Sequence, residues 1–309
     1  MAAILDSLII LGLLLLTGFA ARKLRLIDDH ITVGLSSLMI FLALPARILM
    51  SLQRPFEAEL LDGAILVFVL SVVIQSVSIG LGFLACRLFR IKDGLRSVWI
   101  LTIAFCNVGY MGIPFIGLVI GDEGVFYCAI YNIPFTLLMN TLGIAITRRD
   151  SKEKTADKTT SKAKFRVPPA LVASIVGVVL FVCSVGLPRQ IGGFLDLMGE
   201  MSTPLAMIII GGLFAKNKLK PLLTDWKLYI LAAIRLLVIP TVVFLIVSPF
   251  ITDKTVLSVV VYLTAMPAAA IMGVFAVRYG SDAEAASNSI VLTTAASALT
   301  LPIVALLLK

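Results

Sequence analysis

Residues 105–114 read Phe-Cys-Asn-Val-Gly-Tyr-Met-Gly-Ile-Pro, and residues 264–273 read Thr-Ala-Met-Pro-Ala-Ala-Ala-Ile-Met-Gly. Each stretch lies inside an apolar run long enough to cross a membrane, and each carries glycine or proline, which interrupt helices. An interrupted helix in lipid frees backbone N–H and C=O groups, which are tolerated only where they face protein or a polar cavity. Paired interruptions in the two halves of a chain are typical of a secondary transporter's binding site, so these stretches decide the expected fold.

The composition of the chain is that of a membrane protein. Its 309 residues are 60% hydrophobic and 14% charged, whereas a soluble domain is about 45–50% apolar. Apolar stretches of about 18 or more residues recur from end to end, and each can span a hydrocarbon core of about 30 Å. We therefore expect an all-α integral membrane protein with ten transmembrane helices, at residues 4–21, 31–53, 62–87, 97–120, 124–147, 168–187, 191–215, 222–250, 255–279 and 283–308.

The positive charge of the chain is unevenly placed. The net charge is +8, and 20 of the 26 lysines and arginines lie in or beside the connections that follow the odd-numbered spans. The positive-inside rule assigns such connections to the cytoplasm. The sequence therefore predicts a multi-pass protein of the cell (inner) membrane with both termini outside, and the charge does not point to a nucleic-acid partner.

One polar stretch divides the chain into two halves. It is rich in lysine, threonine and acidic residues, and it cannot bury enough apolar area to order itself. The predicted organisation is a first five-helix repeat at residues 1–147, a flexible cytoplasmic linker at residues 148–167 and a second five-helix repeat at residues 168–309.

The two halves share one register. Pro45 and Pro204 are 159 residues apart, and so are Gly121 and Gly280. Because each repeat has an odd number of spans, the second repeat enters the membrane from the opposite side, so the repeats are inverted. Spans four and nine then run antiparallel, and we expect these broken helices to cross near the centre of the bilayer.

The crossing of the two broken helices is the expected binding site. Half-helix ends carry free N–H groups and partial positive charge, which suit an anion, and charged residues at membrane depth indicate a function by default. The arginines could instead reach toward the membrane surface, and the amides could join helices. Glu200 is the candidate for binding a coupling proton or Na⁺, with an interfacial position as the alternative. The candidate substrate-binding residues are Asn107, Gly109, Tyr110, Gly112, Pro114, Met266, Pro267, Arg47, Arg235, Gln75 and Asn132.

A set of short motifs resembles the auxin efflux carrier family, which includes plant PIN-type carriers and bacterial PIN-like permeases. The motifs are Asn107 to Pro114 running on to Gly121, Arg235 to Pro240, Ala43 to Pro45, and Leu301-Pro302. The resemblance implies the bile acid/auxin carrier-type fold, with two inverted repeats and an elevator-like movement of the crossing part. Plant members carry an asparagine at the crossing in each repeat, whereas Met266 takes that place in the second repeat here. Bacterial relatives are associated with organic acids such as malate or malonate.

The expected function is export of small organic anions, such as carboxylates or auxin-like acids, by alternating access. The alternative is a Na⁺-coupled organic anion symporter of the bile-acid type. An enzyme is not expected, because the sequence has no His-Glu-x-x-His motif and no Ser/His pair, and neither a metal nor a cofactor is expected. The expected partners are the organic anion, the lipid bilayer, a coupling proton or Na⁺, and a second copy of the chain in a homodimer.

Overall fold

The computed structural model describes residues 2–150, 167–216 and 225–308. This part of the chain is helical and contains no strand, and its β pairing is limited to one isolated bridge. Residues 151–166, which form most of the predicted linker, lie outside these ranges. The expected all-α class is confirmed for the described residues.

Twelve helices occur within the described ranges, and some contain one widened turn. They are α1 (Ala2–Lys23), α2 (Asp29–Ser51), α3 (Ala58–Leu88), α4 (Arg96–Ala104), α5 (Val108–Val119), α6 (Asp122–Arg149), α7 (Pro169–Val182), α8 (Arg189–Lys216), α9 (Trp226–Val247), α10 (Lys254–Ala265), α11 (Ile271–Tyr279) and α12 (Ala283–Leu307). Helices α2, α3, α6, α8, α9 and α12 are each long and apolar enough to cross a membrane. The stretches predicted as spans four and nine each consist of two helices, α4 with α5 and α10 with α11.

Helices α2, α5 and α9 each contain a widened turn directly before a proline. Proline has no N–H, and its ring clashes with the carbonyl group four residues earlier. The residue before each proline instead donates its N–H to the carbonyl oxygen five residues earlier: Leu44 to Met39, Ile113 to Val108 and Ile239 to Ile234. Such π-type turns let a helix continue past a proline. Pro114 therefore lies inside the continuous helix α5 and not at the interruption.

Two pairs of helices pack closely through glycine. Helix α1 packs on α8, and α7 packs on the second half of α2. Gly18 of α1 lies against the backbone of Ile208, and Gly177 of α7 lies against the side chain of Leu52, so that a Cβ atom at either glycine would overlap its neighbour. Small residues allow helices in lipid to approach in this way. Gly18 and Gly177 are 159 residues apart, so the offset between the sequence halves also holds for these contacts.

The same offset relates helix ends. Arg25 and Ser184, which follow α1 and α7, have φ angles of 61° and 54°. Gly121 and Gly280, which follow α5 and α11, have φ angles of 93° and 74°. A residue with positive φ commonly ends a helix. Because the members of each pair are 159 residues apart, two kinds of helix termination recur in the two halves.

Helix α6 extends into the stretch predicted as a linker. It ends at Arg149, and the Asp150 carboxylate accepts hydrogen bonds from the backbone N–H groups of Gly94 (2.8 Å) and Ser97 (2.7 Å). A carboxylate is favourable there because the first N–H groups of a helix lack partners within the helix. Asp150 thereby joins the end of α6 to the start of α4.

Candidate functional site

The two interrupted helices meet at their interruptions. Residues 105–107 separate α4 from α5, and residues 266–270 separate α10 from α11. The two segments pair as one short antiparallel bridge. We call these two segments together the crossover.

The crossover satisfies part of its own free backbone. The Asn107 N–H group donates to the Pro267 carbonyl oxygen (2.8 Å), and the Ala269 N–H group donates to the Phe105 carbonyl oxygen (3.1 Å). The expectation from sequence was that freed amides would be available to a ligand. These two bonds instead use two of the amides to hold the interruptions together, so a ligand would depend more on side chains.

Asn107 lies at the start of α5 and is 3% exposed. Its side-chain oxygen accepts a hydrogen bond from the Tyr110 N–H group (3.2 Å), and its carbonyl oxygen accepts one from the Gly112 N–H group (2.8 Å). Its side-chain Nδ2 is buried and has no hydrogen-bond partner among the described residues. An unpaired buried donor is costly, so this NH₂ group is suited to an acceptor other than those that the described residues supply.

Arg235 also lies at the crossover and is 2% exposed. Its Nε donates to the Met266 carbonyl oxygen (3.0 Å), and its NH1 donates to the Ile103 carbonyl oxygen (3.0 Å). Its NH2 has no partner in the described part of the chain. The side chain that sequence analysis placed beside an anion therefore binds backbone carbonyl groups at the ends of α4 and α10.

Thr293 of α12 contacts the crossover, and the sequence analysis missed it. Its hydroxyl oxygen accepts a hydrogen bond from the Ala268 N–H group (3.1 Å), and the residue is fully buried. Ser289 and Ser297, four residues before and after it, are also buried. This spacing puts three hydroxyl groups on one helix face, and such a polar stripe in an apolar helix could have pointed to the site.

Two glycines in the first turns of α5 allow close packing. A Cβ atom at Gly112 would lie 2.8 Å from Leu263 Cδ2, and one at Gly109 would lie 3.3 Å from Leu44 Cδ2. Gly112 therefore lets α5 approach α10. Tyr110 is half-buried beside these contacts.

Gln75 and Asn132 lie on the helices that pack around the crossover. Gln75 Nε2 donates to the Ser71 hydroxyl oxygen (2.6 Å), and the Ser71 hydroxyl donates to the Tyr131 carbonyl oxygen (2.8 Å), which joins α3 to α6. Gln75 Oε1 has no partner among the described residues. Asn132 is buried, and its side-chain oxygen accepts a hydrogen bond from the Thr136 hydroxyl (3.4 Å). The paired groups serve contacts within and between helices.

Comparison with known proteins identifies the family. Residues 3–305 match the model of a family described as "Membrane transport protein". The chain belongs to this family. A protein of Methanothermobacter thermautotrophicus named "Uncharacterized transporter" is 26% identical over 293 residues, covering 94% of this chain and 93% of that protein. An uncharacterized transporter of Methanocaldococcus jannaschii is 25% identical over 304 residues, covering 96% of each chain.

The family match confirms the resemblance to auxin efflux carriers over almost the whole chain. The protein is thus a multi-pass membrane transport protein. A protein of this family acts on a small-molecule substrate within a lipid bilayer.

Arg47 of this transport protein lies away from the crossover. Its NH2 forms an ion pair with Asp122 Oδ1 (2.9 Å), and its side chain is 25% exposed. Both residues line a cavity of about 630 Å³ at the start of α3, α6 and α10. Glu200, the candidate for ion coupling, is exposed on α8. Neither side chain contacts the crossover in the hydrogen bonds and ion pairs of the described residues.

A second cavity of the transport protein, of about 470 Å³, lies at the start of α4, α9 and α12. It includes Lys92, Lys227 and Asp282. The connections before α4 and α9 carry many of the cationic residues of the sequence. Both cavities hold carboxylates at the starts of helices, Asp225 and Asp282 in the second and Asp122 and Asp253 in the first. The two cavities thus lie at the starts of two different sets of three helices.

Proposed function

We propose that this protein is a secondary transporter that carries small organic anions, of the carboxylate class, through the crossover. One observation carries the proposal most strongly: the buried Asn107 NH₂ group has no acceptor among the described residues at the point where two interrupted helices meet. A carboxylate oxygen is a good acceptor for such a donor.

The polarity of the half-helices supports an anion. Helices α5 and α11 begin at the crossover, and a helix start carries about half a positive charge. Helices α4 and α10 end there, and Arg235 donates to the carbonyl oxygens of Ile103 and Met266 at those ends. With the negative ends compensated by Arg235, the positive ends of α5 and α11 dominate the local field.

The repeated register supports an inverted-repeat arrangement of ten spans. The glycine contacts of α1 and α7 and the helix ends after α5 and α11 recur at an offset of 159 residues. Helix α1 of the first half packs on α8 of the second, and α7 of the second packs on α2 of the first. We propose residues 1–147 and 168–309 as the two repeats, joined by the cytoplasmic stretch 148–167, whose first two residues form the end of α6.

We further propose an elevator mechanism on this arrangement. Helices α1, α2, α7 and α8 form the static part, and the remaining helices carry the crossover between the two sides. The cavities of about 630 and 470 Å³ are the vestibules at the two ends. The cationic connections face the cytoplasm of a cell membrane, as the positive-inside rule requires.

A ligand screen on the purified protein tests the proposed substrate class. The wild-type protein is heated with acetate, malonate, malate or the uncharged malonamide, at several pH values and with or without Na⁺. We expect at least one carboxylate to raise the unfolding temperature while malonamide does not, because only a ligand bound to the folded state stabilises it. Absence of any carboxylate effect would remove the proposal. An effect that requires Na⁺ would instead indicate the bile-acid type of coupling.

A further inference from the structure

Arg235 is the only charged side chain that is buried among the residues the structure describes. A buried charge at membrane depth is costly unless an opposite charge or dipole compensates it. No aspartate or glutamate is buried in the same part of the chain. The compensation must come from another source.

The ends of two half-helices supply that compensation. Arg235 Nε binds the carbonyl oxygen of Met266, which caps α10, and NH1 binds that of Ile103, in the last turn of α4. Each helix end carries about half a negative charge, so two ends together offset about one positive charge. The last carbonyl groups of a helix also lack partners within the helix, so both bonds satisfy groups that would otherwise stay unpaired.

The local sequence of α9 supports this geometry. Arg235 lies in the widened turn Ile234–Val238, which ends two residues before Pro240. This turn lets α9 continue past Pro240, and widened turns are also frequent at functional positions in helices.

We propose that Arg235 is a positioning residue: it holds the carboxyl ends of α4 and α10 together and neutralises them, so that the crossover presents a positive field to the transported anion. Only the second half of this inference, that the crossover presents a positive field to an anion, rests on the proposed function. The first half, that Arg235 holds the crossover in shape, stands on the two carbonyl contacts.

Hydrogen exchange measured by mass spectrometry tests the first half without a ligand. Peptides covering residues 100–112 and 262–273 contain the amides of Asn107 and Ala269, which bond across the crossover. We compare Arg235→Met, which keeps side-chain volume, with Arg235→Lys, which keeps charge and donors. We expect Arg235→Met to speed exchange in both peptides at least about tenfold and Arg235→Lys to speed it less, because lysine keeps the charge but loses the fork of the guanidinium group.

Two controls separate this effect from general loosening. A peptide covering residues 8–20 of α1 should exchange as in the wild type, and Arg47→Met should leave both crossover peptides unchanged, because Arg47 contacts Asp122 instead. Unchanged exchange in Arg235→Met would overturn the inference. Exchange that is equally fast in Arg235→Lys and Arg235→Met would also overturn it, and so would failure of both variants to fold. In either case the retained charge would not hold the crossover. Failure of Arg235→Met alone to fold, with Arg235→Lys intact, supports it.

Equilibrium binding of malonate, acetate and malate tests the second half. We expect Arg235→Met to weaken binding about tenfold and Arg235→Lys to weaken it less, because the helix ends regain their full negative charge only when the cation is lost. Loss of binding with unchanged exchange would make Arg235 a direct ligand and overturn positioning. If the wild type binds none of the three, the proposed function fails, while the exchange result still decides whether Arg235 holds the crossover.

Discussion

The Asn107 N–H group and the Pro267 carbonyl oxygen, which belong to different halves of the chain, are joined by a 2.8 Å hydrogen bond. The bond connects two interrupted helices at the point where each would otherwise leave its backbone unpaired in lipid. The two polar groups of the Asn107 side chain differ. Its Oδ1 caps α5, whereas its Nδ2 has no hydrogen-bond partner within the described residues. The first prediction follows from this division.

Replacing Asn107 by serine should separate folding from binding. Serine is a good helix cap, so the start of α5 is kept, whereas the amide NH₂ group is lost. We expect the free energy of unfolding of Asn107→Ser to stay within about 1 kcal/mol of the wild type, and carboxylate binding to be lost. Asn107→Ala should lose both the helix cap and the binding. Unfolding and equilibrium binding are measured on the same preparations. Asn140→Ala, on α6, is the control, because the Asn140 side-chain NH₂ group donates to the Thr136 carbonyl oxygen of its own helix (2.8 Å). Wild-type binding by Asn107→Ser would exclude the amide from the site.

Replacing Thr293 by valine should destabilise the second interruption. Valine has nearly the same shape but no acceptor, so the buried Ala268 N–H group loses its partner. An unpaired buried donor costs about 1–3 kcal/mol, and we expect a loss of that size in unfolding free energy. Thr293→Ser keeps the hydroxyl group, so its unfolding free energy should fall less than that of Thr293→Val. Equal stability of the valine and serine variants would show that this hydrogen bond contributes nothing.

Replacing Gly18 by alanine should loosen the contact between α1 and α8. The added Cβ atom would overlap the backbone of Ile208, which cannot move aside as a side chain can. Overpacking of this kind costs about 1–3 kcal/mol. Gly12→Ala is a matched control on the same helix, because a Cβ atom there would have no neighbour within 4 Å. The unfolding temperature should fall for Gly18→Ala and not for Gly12→Ala. The reverse order would contradict the close packing of α1 on α8.

Breaking the ion pair between Arg47 and Asp122 should change transport more than stability. The pair is partly exposed, so its contribution to stability is about 1 kcal/mol or less. It joins α2 to the start of α6, which move relative to each other in the proposed elevator. We expect Asp122→Asn to alter the rate of carboxylate counterflow in proteoliposomes, with the unfolding temperature nearly unchanged. An unaltered rate would argue against relative movement of these two helices.

Labelling of the natural cysteines should report the orientation. Cys183, just after α7, is exposed, whereas Cys86, Cys106 and Cys128 are buried. The proposed orientation puts Cys183 outside, so a membrane-impermeant maleimide should label intact cells expressing the wild type and not those expressing Cys183→Ala. Labelling of Cys183 only after the membrane is made permeable would show that the orientation is the opposite of the proposed one.

The sequence predicted the interruptions because glycine and proline are legible without a structure. The stretch that ends at Pro114 does contain a break, but the break lies at residues 105–107, and a widened turn carries α5 past Pro114. Neither the composition nor the spacing of residues indicates whether a proline will interrupt a helix or be absorbed in this way, since that depends on packing against neighbouring helices.

Partners of the site residues were harder to predict than the residues themselves. Arg235 was a candidate because an arginine inside an apolar span is rare. Its acceptors are the backbone carbonyl groups of Ile103 and Met266, and the sequence does not mark them because every residue has such a group. Thr293 was missed because threonine is common in membrane helices. Contacts between a side chain and distant backbone depend on the three-dimensional register of the helices, which no pattern along one chain records.

Counterflow of radiolabelled malonate, malate and acetate into proteoliposomes tests most directly whether an anion passes through the crossover. Vesicles containing wild-type protein are preloaded with the unlabelled acid, and Asn107→Ser and Asn140→Ala are measured in parallel at equal protein content. We predict that the wild type and Asn140→Ala accumulate at least one labelled carboxylate, whereas Asn107→Ser vesicles accumulate no more than empty ones. Equal accumulation by Asn107→Ser and the wild type would contradict passage through the site at Asn107.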